Sequence, residues 1–315
     1  MAEDEKHILC VGMCVLDIIH VCAEYPKEDT DKRCQSGYWQ RGGNASNNCT
    51  VLRKLGVPCE FLGMISNSPA FGFLYDDCRQ RQIIIKNCPN IDMDPPFSSI
   101  ILAQSKGTRT IVHSNPGFPI LTFEHFKKID LSSYAWIHFE GRSVEETVQM
   151  IDMIRLFNKN HKKSIRISLE MEKLNKELFR LACRADLVFI SRDMAEHMGW
   201  SSAQEAIYKT RQIIKDIQSK ENGENNLPWP TPCLISPWGS ECSDCLSSSD
   251  EYASLPACDV NEVVDSLGAG DTFVAACIYA LNYLKKSLAE SVKYANKVAA
   301  FKIQHRGYDD LEQME

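Results

Sequence analysis

The sequence predicts an α/β protein built on a parallel sheet with helices on both faces. Two observations carry this expectation. From Trp136 onward, apolar runs of strand length alternate with stretches of helical periodicity, the pattern of parallel strands joined by crossover helices. The chain also has 315 residues, 44% of them hydrophobic, enough to bury a large core without disulfides or metals, as one large domain or as two.

Taken in order, the elements read as follows. Ile8 to Leu16 is β-branched and apolar with one glycine inside, so it is expected to be one buried strand. Asp17 closes it, placing a carboxylate at the strand's C-terminal end, where open α/β sheets keep their ligands. Residues 18–41 mix polar and apolar positions around Pro26, Gly37 and Tyr38-Trp39, which suggests short strands or loops. Val51, Leu52 and Leu55 then fall at helical spacing in a helix from Ala45 to Leu55, stopped by Gly56-Val57-Pro58. Between Ser99 and Val112, two apolar runs flank Lys106-Gly107-Thr108, the pattern of a β-hairpin. Trp136–Phe139, Ile165–Leu169 and Leu187–Ile190 read as strands, with helices over 143–157 and 173–183 between them. Residues 220–232, with Gly223, three prolines and three asparagines, read as a mobile loop. A strand at Cys233-Leu234-Ile235 and two amphipathic helices, roughly 270–285 and 288–304, complete the chain, and no internal repeat or low-complexity segment interrupts it.

Composition narrows the function classes. The 42 Asp and Glu outweigh the 35 Lys and Arg, for a formal charge of -7, so no basic footprint invites nucleic acid or anionic lipid. Fourteen cysteines sit among apolar residues, as in Leu9-Cys10-Val11 and Ala276-Cys277-Ile278, and read as reduced thiols of a cytoplasmic protein rather than a disulfide framework. The acidic start Met1-Ala2-Glu3-Asp4-Glu5-Lys6 does not resemble a signal peptide, and no apolar stretch approaches the ~18 residues of a membrane span. The sequons at Asn44 and Asn48 are therefore not expected to carry sugar, and their asparagines need another explanation.

Two glycine-led helix entries carry the candidate chemistry. In Asp265-Ser266-Leu267-Gly268-Ala269-Gly270-Asp271-Thr272-Phe273, a turn of small residues opens onto a helix, so that converging N–H groups and the helix N-terminus can hold an anion. Asp271 stands beside that hole, where a carboxylate can take a proton from a hydroxyl while the N–H groups stabilise a transferring phosphoryl group. Taken alone, the stretch is equally a helix start with an acid in its first turn. In Arg41-Gly42-Gly43-Asn44-Ala45-Ser46-Asn47-Asn48, Asn44 and Asn47 lie three apart on one side of a helix, and their amides suit a polyol. Simple N-capping by Asn44 is the other reading.

The two motifs together, Gly-Gly-Asn-Ala-Ser-Asn and Asp-Ser-Leu-Gly-Ala-Gly-Asp-Thr-Phe, resemble the paired signatures of the ribokinase-like carbohydrate kinase family. Val15-Leu16-Asp17, Tyr25-Pro26-Lys27-Glu28-Asp29, Trp39-Gln40-Arg41, Trp136 through Arg142 and Glu177-Leu178-Phe179 extend the similarity over nearly the whole chain, towards the ketohexokinase (fructokinase) branch. The resemblance implies a single domain over 1–315, a ribokinase-like three-layer sandwich with a small β lid built from roughly 18–41 and 98–114, and a homodimer formed through that lid. It implies ATP-dependent phosphorylation of the 1-hydroxyl of fructose, with Mg2+ held chiefly by ATP phosphates and water, and a potassium ion near the anion-hole turn. Carried over to matching positions, Asp17, Gly43, Asn44 and Asn47 would bind the sugar and Asp271 would act as base. Gly268, Ala269 and Gly270 would form the anion hole, Arg109 would reach the nucleotide phosphates, and Pro237, Trp238, Gly239 and Ser240 would line the nucleotide's side.

Some positions depart from the family's pattern. Its metal-associated Asn-x-x-Glu reads here as Ser191-x-x-Met194, with Glu170 and Glu172 as possible substitutes, and Cys242 stands where related kinases carry a second glycine. Glu140 and Arg142 either face the site or form a surface ion pair. The C-x-x-C of Cys242 and Cys245 lacks a second pair, and neither a Walker A sequence nor a G-x-G-x-x-G after the first strand is present. The alternatives left open are a kinase acting on another sugar or a nucleoside, and a carbohydrate-binding homologue without catalysis.

Overall fold

The computed structural model describes residues 6–115, 117–220 and 229–314. The acidic start and most of the expected 220–232 loop lie outside the described residues. In chain order the first half contains β1 (His7–Val11), β2 (Val15–Cys22), β3 (Ser36–Gly42), α1 (Asn44–Lys54), β4 (Cys59–Leu62), β5 (Ile65–Ser66), α2 (Gly72–Gln80), β6 (Asn90–Ile91), β7 (Phe97–Ala103), β8 (Thr108–Ser114) and α3 (Phe123–Phe126). The second half contains β9 (Tyr134–Glu140), α4 (Val144–His161), β10 (Arg166–Met171), α5 (Phe179–Ala182), β11 (Leu187–Ile190), α6 (Arg192–His197) and α7 (Ala203–Lys220). β12 (Cys233–Pro237), β13 (Cys242–Leu246), β14 (Tyr252–Pro256), α8 (Ala269–Asn282) and α9 (Leu288–Ile303) follow.

The central sheet runs β14-β13-β12-β11-β10-β9-β1-β4. Its strands from β4 to β12 are parallel, and β13 and β14 add an antiparallel edge. Both faces of the parallel part are covered, which is why its strands are apolar at successive positions instead of alternating. Leu9, Ile137, Leu169 and Val188 pack on one face beneath α4, α5 and α7. Ile8, Trp136, Phe189 and Ile235 pack on the other beneath α1, α8 and α9. These three layers are the expected ribokinase-like arrangement.

A separate four-stranded sheet, ordered β3-β2-β7-β8, stands over the ends of the parallel strands. Ile19, Val21 and Ile100 on its inner face pack against Leu267 and make a small core of their own. Gly107, in the left-handed region at φ 60°, turns β7 into β8 as the hairpin reading expects.

Two expectations need correction. Ile8 to Leu16 is not one strand: β1 ends at Val11, the chain crosses at Gly12–Cys14, and β2 begins at Val15 in the small sheet. The crossing is held by the Glu140 carboxylate, which accepts the Met13 N–H at 3.0 Å and lies so close to Gly12 that a side chain there would overlap it. Asp17 therefore lies within a small-sheet strand rather than at the end of a central one. The helix expected over 173–183 shrinks to a 3-10 turn, Lys176–Leu178, and α5. There the Asn175 side chain takes the Glu177 N–H (3.0 Å), a local bond that delays helix entry. Among the described residues, no helix is long and apolar enough to cross a membrane.

Candidate active site

A cleft between the small sheet and the C-terminal ends of the parallel strands brings together Asp17, Gly43, Asn44, Asn47, Arg109, Gly268, Ala269, Gly270 and Asp271. They come from β2, the start of α1, β8 and the start of α8, so sequence positions more than 200 residues apart share one wall.

The contact that joins the two motifs is a hydrogen bond from Asn47 Nδ2 to Asp271 Oδ2 at 2.7 Å. Asn48 Nδ2 donates to the main-chain carbonyl of Asp271 at 2.9 Å. Asn48 is fully buried, which explains the second asparagine of the sequon pair as an α1–α8 tie. Neither contact is visible from spacing, because 224 and 223 residues separate the partners. Asn44 reaches the other way, donating to Glu172 Oε2 at 3.2 Å beyond the end of β10.

Entry into α1 is set by buried groups. Gly43 adopts φ 95°, where a side chain would also overlap the Met13 carbonyl, so only glycine fits. Arg41, 2% exposed, bonds Asp77 (2.6 Å) and the Ser46 carbonyl (2.9 Å), fixing β3 against α1. Glu140 accepts the Ala45 N–H (3.3 Å) as well as that of Met13, and Arg142 Nε bonds its other oxygen at 2.6 Å. It is a buried bracket rather than a surface ion pair. Burial pushes its pKa up, but the Arg142 and Lys173 charges with the Met13 N–H hold it below the usual carboxylate range.

The turn before α8 is equally constrained. Gly268 caps the helix at φ 72°, and a side chain there would overlap the Tyr308 hydroxyl. The first helical bond runs from Thr272 N to Gly268 O (2.9 Å), leaving the N–H groups of Gly270 and Asp271 ahead of it without intrahelical partners. Gly270 is open on the cleft side, with space for a ligand atom where a side chain would stand. Such a turn can receive negative charge. From β8, Arg109 Nη1 reaches Ser266 Oγ at 3.4 Å.

Electrostatics mark the cleft floor. Burial pushes the Asp271 carboxyl up to about 7, with the Glu172 and Glu140 charges adding to the rise and the Asn47 bond and Lys173 opposing it. Burial also raises Asp17 to about 6, against the Ser98 hydroxyl bond. Glu170 is driven well above its ordinary value by burial and by the charges of Asp271, Glu172 and Glu140, and its Oε2 has no protein partner. A carboxyl near 7 beside free N–H groups can accept a proton from a hydroxyl at neutral pH.

The nucleotide side is reached only in part. Pro237 lines the cleft, but Trp238 turns into the core at 4% exposure beneath the Arg192 guanidinium, and Gly239 and Ser240 sit exposed in the turn to β13. Met194 is a buried residue of α6 and serves the fold, whereas Ser191, which caps that helix by accepting the Met194 N–H (3.0 Å), also lines the cleft. Cys242 and Cys245, three apart on β13, point to opposite sides of the strand.

The sequence reading missed Ser98, His113, Lys173 and Asp193, all in the cleft wall. It also missed Lys302, whose signal is a charged residue at the apolar spacing of Val292, Ala295 and Val298 on α9.

Comparison with known proteins identifies the family and agrees with the fold. Residues 5–313 match the model of the pfkB family carbohydrate kinases. Mouse ketohexokinase is 38% identical over 98% of this chain and 99% of its own length, and mouse ribokinase 21% identical over 97% and 91%. Among solved structures, a Giardia lamblia ribokinase superposes with a TM-score of 0.79 at 16% identity, covering 97% of this chain and 95% of that one. An Arabidopsis thaliana ribokinase complexed with ribose and ATP superposes at 0.72 with 17% identity, covering 97% and 95%. The chain therefore belongs to the pfkB family of carbohydrate kinases and is an ATP-dependent sugar kinase.

Proposed function

We propose that this kinase transfers the γ-phosphoryl group of ATP to the 1-hydroxyl of fructose, giving fructose 1-phosphate and ADP. The observation that carries the reading is the Asn47–Asp271 bond at 2.7 Å, which sets a proton-accepting carboxyl between a polyol-binding helix start and an anion-binding turn. The choice of fructose is supported by the similarity to mouse ketohexokinase.

In this reading Asp17, Asn44 and Asn47 bond the sugar hydroxyls, and Gly43 lets the backbone approach them. Asp271 takes the proton of the reacting hydroxyl as its oxygen bonds the γ-phosphorus. The bond from that phosphorus to the bridging oxygen breaks, and its electron pair leaves with ADP. The N–H groups of the Gly268-Ala269-Gly270 turn face the developing charge, and Arg109 meets the phosphates. Positioning and charge stabilisation carry phosphoryl transfer, so pre-set groups of this kind suffice.

Mg2+ fits the cleft. Glu170 has a buried oxygen without a protein partner, and Glu172 and Asp193 line the same wall, a donor set suited to a hydrated hard cation. Such an ion would neutralise charge on the phosphates. The remaining assignments belong to the same reading: one domain, the small sheet as its lid, a cytoplasmic location, and a homodimer through the lid. The lid face turned from the cleft exposes Trp39 at 50% and Val112 at 63%, apolar surface suited to a second copy. Buried thiols such as Cys10, Cys49 and Cys59 suit a reducing compartment.

The test is ADP release from MgATP with fructose, ribose, adenosine, glucose or no acceptor. Fructose-dependent release supports the assignment. Preference for ribose or adenosine moves the acceptor, and binding of sugar and ATP without release with any acceptor favours a non-catalytic homologue.

A further inference from the structure

A potassium ion at the anion-hole turn, which the resemblance implies, does not fit this chain, because the oxygens behind the turn already hold an ammonium. Lys302 lies in the last turn of α9 with its side chain fully buried. Its Nζ donates to the main-chain carbonyl of Asp265 and to Asp265 Oδ2, both at 2.9 Å, and lies 5.4 Å from the ring centre of Tyr308. Asp265 in turn accepts the N–H groups of Leu267 and Gly307, each at 2.9 Å. The N–H groups of Val264 and Asp265 bond the Ile303 carbonyl at 2.8 and 3.0 Å. The segment feeding Gly268 is thus organised around one buried positive charge, and Tyr308, beside that charge, is the residue packed against Gly268.

We propose that the Lys302 ammonium is a built-in monovalent cation for the phosphate-binding turn, so that this kinase works without potassium. The inference rests on reading the cleft as a kinase site. A carbonyl and a carboxylate converging on one centre are donors of the kind a monovalent cation takes, and here a tethered ammonium supplies the charge with no ion to recruit. A potassium ion brought to the same oxygens would stand against a buried like charge with little solvent to screen it. The charges facing this centre are Asp265 and Asp271 on the acidic side and Arg109 on the basic side. The tethered charge holds the turn that precedes Gly270 and Asp271, and Lys302 is a positioning residue that need not touch a substrate.

The experiment titrates potassium chloride against choline chloride at constant ionic strength, measuring ADP release with MgATP and fructose and, separately, the melting temperature. Wild-type turnover is expected to change by less than about twofold, and its melting temperature by less than about 1 °C, because a site that binds no ion gains no stability from it. Lys302→Ala is expected to lose about tenfold or more in turnover in choline and to regain it with ammonium or potassium, the reciprocal coupling of an ion to the turn. Potassium activation of the wild type beyond twofold overturns the proposal, as does a loss in Lys302→Ala that neither ion repairs. Should the variant not fold, the wild-type titration decides. Silence with every acceptor counts against the kinase reading, and the melting curves then decide the cation question alone.

Discussion

Replacing Asp271 by asparagine separates its chemistry from its burial. The carboxyl is 9% exposed, accepts the 2.7 Å bond from Asn47, and has its pKa lifted from 3.8 to about 7, chiefly by burial. An asparagine keeps the shape and can still accept from Asn47 through its carbonyl oxygen, but it cannot take a proton. Turnover is expected to fall about 10²–10⁴-fold, the worth of a positioned base, while KM for the sugar stays within about threefold, since that binding is not lost. Stability moves the other way. A carboxyl with a higher pKa in the folded than in the unfolded chain holds its proton more tightly when folded. The stability it contributes is therefore complete below 3.8 and is lost as pH rises through about 7. The interval from 3.8 to about 7 amounts to at most ~4 kcal/mol. At pH values above that interval the amide escapes the penalty, so Asp271→Asn should melt higher than the wild type there and close to it in acid. Steady-state ADP release and parallel melting curves check both arms. Turnover within about threefold of wild type would refute the base assignment, and a lower melting temperature in alkaline buffer would refute the burial argument.

Other expectations follow from the same geometry. The kcat/KM for sugar should fall as pH drops below about 7, where Asp271 takes up its proton, and a flat profile from weakly acidic to weakly alkaline buffer would sink the assignment. Gly268→Ala forces a side chain onto Tyr308 at φ 72°. It should cost ~1–3 kcal/mol in denaturant unfolding and about a hundredfold in turnover through displacement of the turn. Glu140→Gln weakens the charged acceptor of the Met13 and Ala45 N–H groups and of Arg142, and should lower stability by ~1–3 kcal/mol. An unchanged unfolding midpoint would mean that Glu140 does not bracket α1.

The legible parts of this protein were those written in local pattern. The strand Leu187–Ile190 and the helices α1, α8 and α9 follow from apolar spacing and glycine stops, and fall within a few residues of their expected bounds. The edge strands β13 and β14 were not legible, because Cys242–Leu246 and Tyr252–Pro256 are half polar and are held by pairing with each other and, for β13, with β12. The Pro237–Ser240 segment misled for a related reason: a motif gives the order of residues along a turn, but not which of them faces a cleft and which, like Trp238, fills the core.

By itself the sequence determined the layered α/β class, the two glycine-led helix entries and the residue types gathered there, because backbone freedom, periodicity and capping act over a few residues. The tertiary structure alone decided where the first strand breaks, since the acceptor that holds the crossing is Glu140, 127 residues away from Met13. It alone decided that Asn47 meets Asp271 across 224 residues and that Lys302 serves Asp265 across 37. A buried polar group must find its partner wherever the packing of layers puts one, and no local pattern states that address.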